Sequence, residues 1–123
     1  MTISKFSRTK SEIADAEVDG VAVTLYTCPA NAKSHMSLLY ITNSGTAASD
    51  IKIEWYRASQ LETHNIIAGK NLVVGDFIKF DGSFIVLESG DYIRFTPSST
   101  GGGAAPHIDC FCTVEEFFVP VGG

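Results

Sequence analysis

From Val21 onward, apolar residues recur at every second position. Val21, Val23 and Leu25 alternate with Ala22, Thr24 and Tyr26. Leu39 and Ile41 alternate with Leu38 and Tyr40, and Ile51, Ile53 and Trp55 with Lys52, Glu54 and Tyr56. Ile93 and Phe95 oppose Tyr92 and Arg94, while Ile108, Cys110, Cys112 and Val114 oppose Asp109, Phe111, Thr113 and Glu115. Successive strand side chains point to opposite faces, so a period of two in segments rich in β-branched and aromatic residues marks half-buried strands. Punctuation agrees. Pro29, Pro97, Pro106 and Pro120 fall at segment boundaries, where a missing ladder N–H does least harm. Asn43-Ser44-Gly45, Ala68-Gly69, Gly75-Asp76, Asp81-Gly82 and Ser89-Gly90-Asp91 carry turn chemistry. The spacing of Gly69, Gly75, Gly82 and Gly90 predicts short strands in quick succession. The pattern predicts an all-β chain, an antiparallel β-sandwich or jelly roll of about seven or eight strands.

Residues 1–20 break the pattern. They are polar, lack strand-like alternation and end at Gly20. Ser11 to Val18 could form a helical turn, but so short a helix is not stable alone. The division expected is an extended N-terminal arm over 1–20 and a β-sandwich domain over 21–123. An arm of this kind predicts that removing residues 1–15 leaves the sandwich folded and removes its attachment to a partner.

Composition narrows the function classes. The 123 residues suit one domain with its own core. Hydrophobic residues make up 45% and charged residues 19%, which is apolar for a monomer and points to a homo-oligomer or a larger assembly. The net charge of −5, with no basic stripe, speaks against direct nucleic-acid binding, which depends on phosphate neutralisation. No apolar run reaches the roughly 20 residues of a membrane helix, and the N-terminus lacks the apolar region of a secretory signal, so synthesis in the cytoplasm is expected.

Candidate chemistry is sparse. Cys28, Cys110 and Cys112 have no disulfide-framework spacing and read as buried free thiols. Strand geometry puts His107 with Asp109 and Phe111, opposite Cys110 and Cys112, so these three cannot converge on one metal ion. Gly101-Gly102-Gly103 precedes another strand rather than a helix, so the segment from Ser98 to Ala105 reads as a loop and not a phosphate cradle. Glu115 and Glu116 point to opposite faces and read as a solvated patch or a subunit contact. No acid–base pair or nucleophile motif is present, and no enzymatic activity, metal or cofactor is expected. Trp55 is in phase with the core. Tyr56 and Tyr92 lie on polar faces and are the candidate ligand surface. Phe117 and Phe118 cannot both point inward, which favours a partner contact for this end.

A family resemblance rests on particular segments. Val23-Thr24-Leu25-Tyr26-Thr27-Cys28-Pro29-Ala30-Asn31 resembles the "LYTxPA" opening of small virion proteins of tailed bacteriophages. His35 to Asn43 with Ala47 to Ile53 is similar to the strand pair that follows. Val86-Leu87-Glu88-Ser89-Gly90-Asp91-Tyr92-Ile93-Arg94 resembles their "VLExGDxIxV" segment, and Thr113 to Glu116 their closing strand. The likeness spans about residues 21–119. The departures are the N-terminal segment, Cys28 in place of a β-branched residue, and Phe117-Phe118 after the closing strand. The resemblance implies a non-enzymatic structural protein of the virion. The leading expectation is a capsid decoration (cement) protein that bridges major capsid subunits. The alternatives are a tail, neck or fibre-adaptor component, or a carbohydrate- or receptor-binding module. Expected partner contacts are Ile3, Lys5 and Phe6 in the arm, and Phe117 and Phe118 at the C-terminal end.

Overall fold

The computed structural model describes residues 6–100 and 105–118, and at residues 6, 83 and 84 the backbone alone. Eight strands follow in order: β1 (Phe6–Ala16), β2 (Val23–Thr27), β3 (Ala32–Asn43), β4 (Ser49–Arg57), β5 (Glu62–Leu72), β6 (Phe77–Leu87), β7 (Tyr92–Ser99) and β8 (Ile108–Phe118). Two four-stranded sheets have the orders β1-β8-β3-β6 and β2-β7-β4-β5, and every mapped strand pair is antiparallel. This interleaving of early and late strands is the eight-stranded jelly roll, one of the two architectures the hydrophobic pattern allows. No helix among the described residues is long and apolar enough to cross a membrane.

The core lies between the sheets. Met36, Leu39 and Ile41 of β3, with Cys110, Cys112 and Val114 of β8, meet Ile51 and Ile53 of β4 and Ile93 and Phe95 of β7. Apart from Met36, which a β3 bulge opposite Val114 and Thr113 brings to the core side, these are the in-phase positions of the period-two pattern, so burial of alternate side chains drives pairing of the sheets. One departure is in β2, where the register shifts between Thr24 and Tyr26 and both Leu25 and Tyr26 become buried. A bulge turns two consecutive side chains toward the core.

Two expected turns are not turns. Gly69 lies inside β5 and Gly82 inside β6, both eleven-residue strands. β3 advances from Met36 to Leu38 while its β6 partner moves from Ile85 to Asp81, so β6 carries the surplus residues as a bulge. β5 does the same opposite Ile51 to Ile53. Glycine at a bulge tolerates the backbone angles that the extra residue imposes, so glycine here bends long strands instead of separating short ones.

The N-terminal segment also differs from expectation. Residues 6–16, assigned above to an arm, form the edge strand β1, and the helical turn considered at 11–18 is replaced by strand through Ala16. β1 pairs with β8 continuously from Phe6↔Phe118 to Ala16↔Ile108. Its core-side positions include Arg8, Lys10, Glu12, Ala14 and Ala16, so it has no apolar period for a pattern to report. Backbone pairing supplies its attachment, and Arg8 adds an ion pair. The guanidinium Nε of Arg8 lies 2.6 Å from Glu116, whose side chain is fully buried. Glu116 is therefore neither a solvated group nor a surface contact. The hydroxyl of Tyr26 also donates to Glu116, leaving Ser34 to donate to Tyr26 at 2.6 Å. Burial opposes the Glu116 charge, but the Tyr26 and Arg8 hydrogen bonds hold its pKa below the ordinary value.

Candidate functional site

The outer face of sheet β1-β8-β3-β6 carries a row of large apolar groups, one from each strand. Register pairing places Ile13 beside Phe111 and Phe111 beside Tyr40. The Tyr40 ring lies 5.1 Å from Phe111 and 5.4 Å, stacked, from Phe77. Ile13 is 76% exposed and Phe77 54% exposed, so water covers the two ends of the row. A second cluster begins two rungs away, where Phe117 meets the His35 ring edge-on at 4.9 Å and Val86 is exposed beside it. An apolar strip running across four strands is more than scattered exposure and marks a surface fit for another protein.

The expected contact residues separate at this point. Phe117 is half-buried on this outer face. Phe118 turns inward and packs against the core, with the Arg8 guanidinium 5.2 Å over its ring. Phe6 occupies the first position of β1, opposite Phe118, and its side chain is outside the described residues. Ile3 and Lys5 also lie outside the described residues. Tyr40, Phe77, Phe111 and Ile13 were not singled out from sequence. Tyr40 and Phe111 nevertheless carried the signal that drew notice to Tyr56 and Tyr92, an aromatic ring out of phase with the core.

The outer face of β2-β7-β4-β5 differs in chemistry. Tyr56 and Tyr92 are register partners with ring centroids 4.9 Å apart. Beside them Arg94 Nε donates to Glu54 at 3.0 Å, and Lys52 Nζ lies 3.7 Å from the other Glu54 oxygen. The hydrogen bond to Glu54 raises the Arg94 pKa further against the opposing effect of burial. Trp55 points the other way, packs on the core and donates from Nε1 to Asp91 at 3.3 Å.

A third cluster joins the end of β1 to the start of β8. Asp15, His107 and Asp109 offer ligand atoms within 4.8 Å of one another. His107 Nδ1 lies 3.2 Å from Glu17, and its Nε2 lies 3.2 Å from Asp109. The Asp15 pKa is raised, first by its hydrogen bond to Asp109, while the Ser44 hydroxyl is the main influence that lowers Asp109. Such oxygen and imidazole donors are metal-ligand types. The group considered from sequence, His107 with Cys110 and Cys112, stays divided between the two faces of β8. Asp15 joins His107 only through β1–β8 pairing, which no local spacing reports.

All three cysteines are buried and free. Burial raises the Cys28 and Cys110 thiol pKa values, and it pushes Cys112 up to about 12. Since the thiolate is the reactive form, none of the three should react with a maleimide at pH 7 over the time in which a denatured control is labelled completely. Mass spectrometry of the folded protein reads this directly.

No family model matches the chain, nor does any curated protein. Among solved structures, the chain is similar to the subunit of Bacillus endospore appendages that form disulfide-linked pili, with 14% identity, 95% of this chain and 92% of that chain covered, and a TM-score of 0.56. It is also similar to PirA, at 11% identity, 84% and 92% coverage and a TM-score of 0.53. The capsid particle protein of infectious bursal disease virus aligns over 91% of this chain and 35% of its own, at 12% identity and a TM-score of 0.49. At these identities the likeness concerns the jelly-roll fold.

Proposed function

We propose that the chain is a non-enzymatic structural subunit that packs against copies of itself and against neighbouring proteins of a larger particle. The particle proposed is a tailed-phage virion, in which the chain serves as a capsid decoration protein, made in the host cytoplasm and seated on the major capsid protein. A tail, neck or fibre-adaptor position uses the same surface. The observation that carries this reading is the row from Ile13 through Phe111 and Tyr40 to Phe77, an apolar strip that crosses all four strands of one sheet face and is exposed at both ends. The sequence resemblance to small virion proteins supports it, as does a shared fold with a subunit that assembles into pili. Assembly here rests on apolar contact, because the three thiols are buried away from any neighbour.

The expected result is an oligomer by native mass spectrometry at micromolar concentration, together with saturable binding to empty phage capsids. Ile13→Asp with Phe77→Asp should abolish both, because the pair places a charge at each exposed end of the apolar row, where burial by a partner would leave it unpaired, while the exposed positions leave the fold intact. A wild-type monomer at high micromolar concentration, or full capsid occupancy by the double variant, overturns the proposal.

A further inference from the structure

We infer that the outer face of β7 and β4 is a binding site for a neutral, hydroxyl-rich polysaccharide chain. Four register pairs cross this face in line: Tyr56↔Tyr92, Glu54↔Arg94, Lys52↔Thr96 and Asp50↔Ser98. Alternate rungs on one strand face are roughly 7 Å apart, so the four span about 20 Å, the footprint of an extended chain rather than one small molecule. Each rung presents chemistry that a sugar uses. The paired tyrosines give two half-buried ring surfaces against which the C–H face of a pyranose packs, with hydroxyls left at the rim. The next rung places a guanidinium and a carboxylate side by side, a planar donor beside a planar acceptor, as vicinal hydroxyls require.

The polar groups are held before any ligand arrives. Glu54 is only 8% exposed, and its two oxygens are fixed by Arg94 and Lys52. Arg94 Nη1 also reaches the Tyr92 hydroxyl at 3.5 Å, which couples the ion pair to the aromatic rung. Groups already immobilised lose little entropy on binding. At the far end the stripe runs into an open cleft of about 220 Å³ lined by Asp50, Lys52, Ala68, Gly69, Thr96 and Ser98. The β5 bulge puts Ala68 and Gly69 there, and a side chain at Gly69 would meet nothing within 4 Å, so the wall stays low. At the rim Asn71 Nδ2 donates to Asp50 at 3.0 Å and to Thr100 at 3.1 Å, which holds the Asp50 carboxylate in place.

Charge selects the class of polymer. Asp50, Lys52, Glu54 and Arg94 alternate in sign and sum to zero, so the stripe gives a polyanion or a polycation no net attraction. Rings, fixed hydrogen-bonding groups and zero net charge together fit an uncharged polyol. This face is opposite the aromatic row of the other sheet, so the chain can hold a polysaccharide while that row is covered by a neighbour.

Native gels containing galactomannan, xyloglucan, mixed-linkage β-glucan or dextran, with heparin as the polyanion, test the inference. At least one neutral polymer should slow the wild-type protein, and heparin should not. Tyr92→Ala and Arg94→Gln should each weaken the retardation about tenfold, a loss of about 1.4 kcal/mol. Tyr92→Phe, which keeps the ring, should stay near wild type. Lys52→Ala, at an exposed side chain, provides a second reading should Tyr92→Ala lose its circular-dichroism spectrum. The inference fails if none of the neutral polymers retards the protein, if heparin retards it as strongly, or if folded Arg94→Gln and Lys52→Ala variants bind like wild type.

Discussion

Asp91→Ala should cost about 3 kcal/mol of unfolding free energy and lower the melting temperature by roughly 10 °C. Asp91 is fully buried in the β6–β7 turn. Its oxygens accept from the Ala58 amide at 2.9 Å, the Glu88 amide at 3.0 Å and the Trp55 indole at 3.3 Å. One carboxylate thus anchors the turn, the end of β4 and the tryptophan that closes that end of the core. The backbone of Asp91 extends the tie, accepting from the Cys28 amide at 2.8 Å, while Gly90 donates to the Cys28 carbonyl at 3.0 Å. Alanine leaves three part-buried donors without their acceptor, and each stranded donor carries its own desolvation cost. Asp81→Ala, at a 73% exposed side chain, should change stability by less than about 0.5 kcal/mol. Urea titration of both variants checks the contrast. A similar small loss for both would show that water replaces the lost acceptor.

The second large effect concerns the attachment of β1. Arg8→Ala should cost about 2–3 kcal/mol, because it leaves the buried Glu116 carboxylate with Tyr26 as its remaining side-chain partner. Truncating residues 1–15 should cost more, since it also strips the β8 edge of its ladder. The expectation that the sandwich folds unaffected without this segment is accordingly revised. The diagnostic is a double variant. Glu116→Leu removes the buried charge, and Tyr26 keeps Ser34, so Arg8→Ala combined with Glu116→Leu should be more stable than Arg8→Ala alone. The pH dependence follows from the same carboxylate. Its folded pKa lies below the ordinary 4.5, so its contribution is fully present above that value and is lost as pH falls through the lower folded value. Wild type should lose stability steeply across that acid range, and Glu116→Leu should flatten the slope. Equal slopes would assign the acid sensitivity to other carboxylates.

What could be read from sequence followed burial. Ile51, Ile53, Ile93, Phe95, Ile108, Cys110, Cys112 and Val114 all announced inward faces, because a strand with one apolar side must repeat every two residues. The same phase placed Tyr56 and Tyr92 outward and Trp55 inward. Glycine was the weaker guide. Gly90 ends a strand, but Gly69 and Gly82 bend strands that continue, and the choice depends on whether the partner strand runs past them.

By itself, the sequence determined the all-β class, the inward faces of the central strands, the Ser89-Gly90-Asp91 turn and the buried thiols, each set by local period or local turn chemistry. Tertiary structure alone decided the rest. It made residues 6–16 an edge strand, since backbone pairing and one ion pair leave no hydrophobic trace. It buried Glu116 by bringing Arg8 and Tyr26 to it from distant segments. It set Tyr56 beside Tyr92, joined Asp15 to His107, and lined Ile13, Phe111, Tyr40 and Phe77 into one row. Each of these depends on cross-strand register, in which residues many tens of positions apart become neighbours, and a period along one chain holds no record of that alignment.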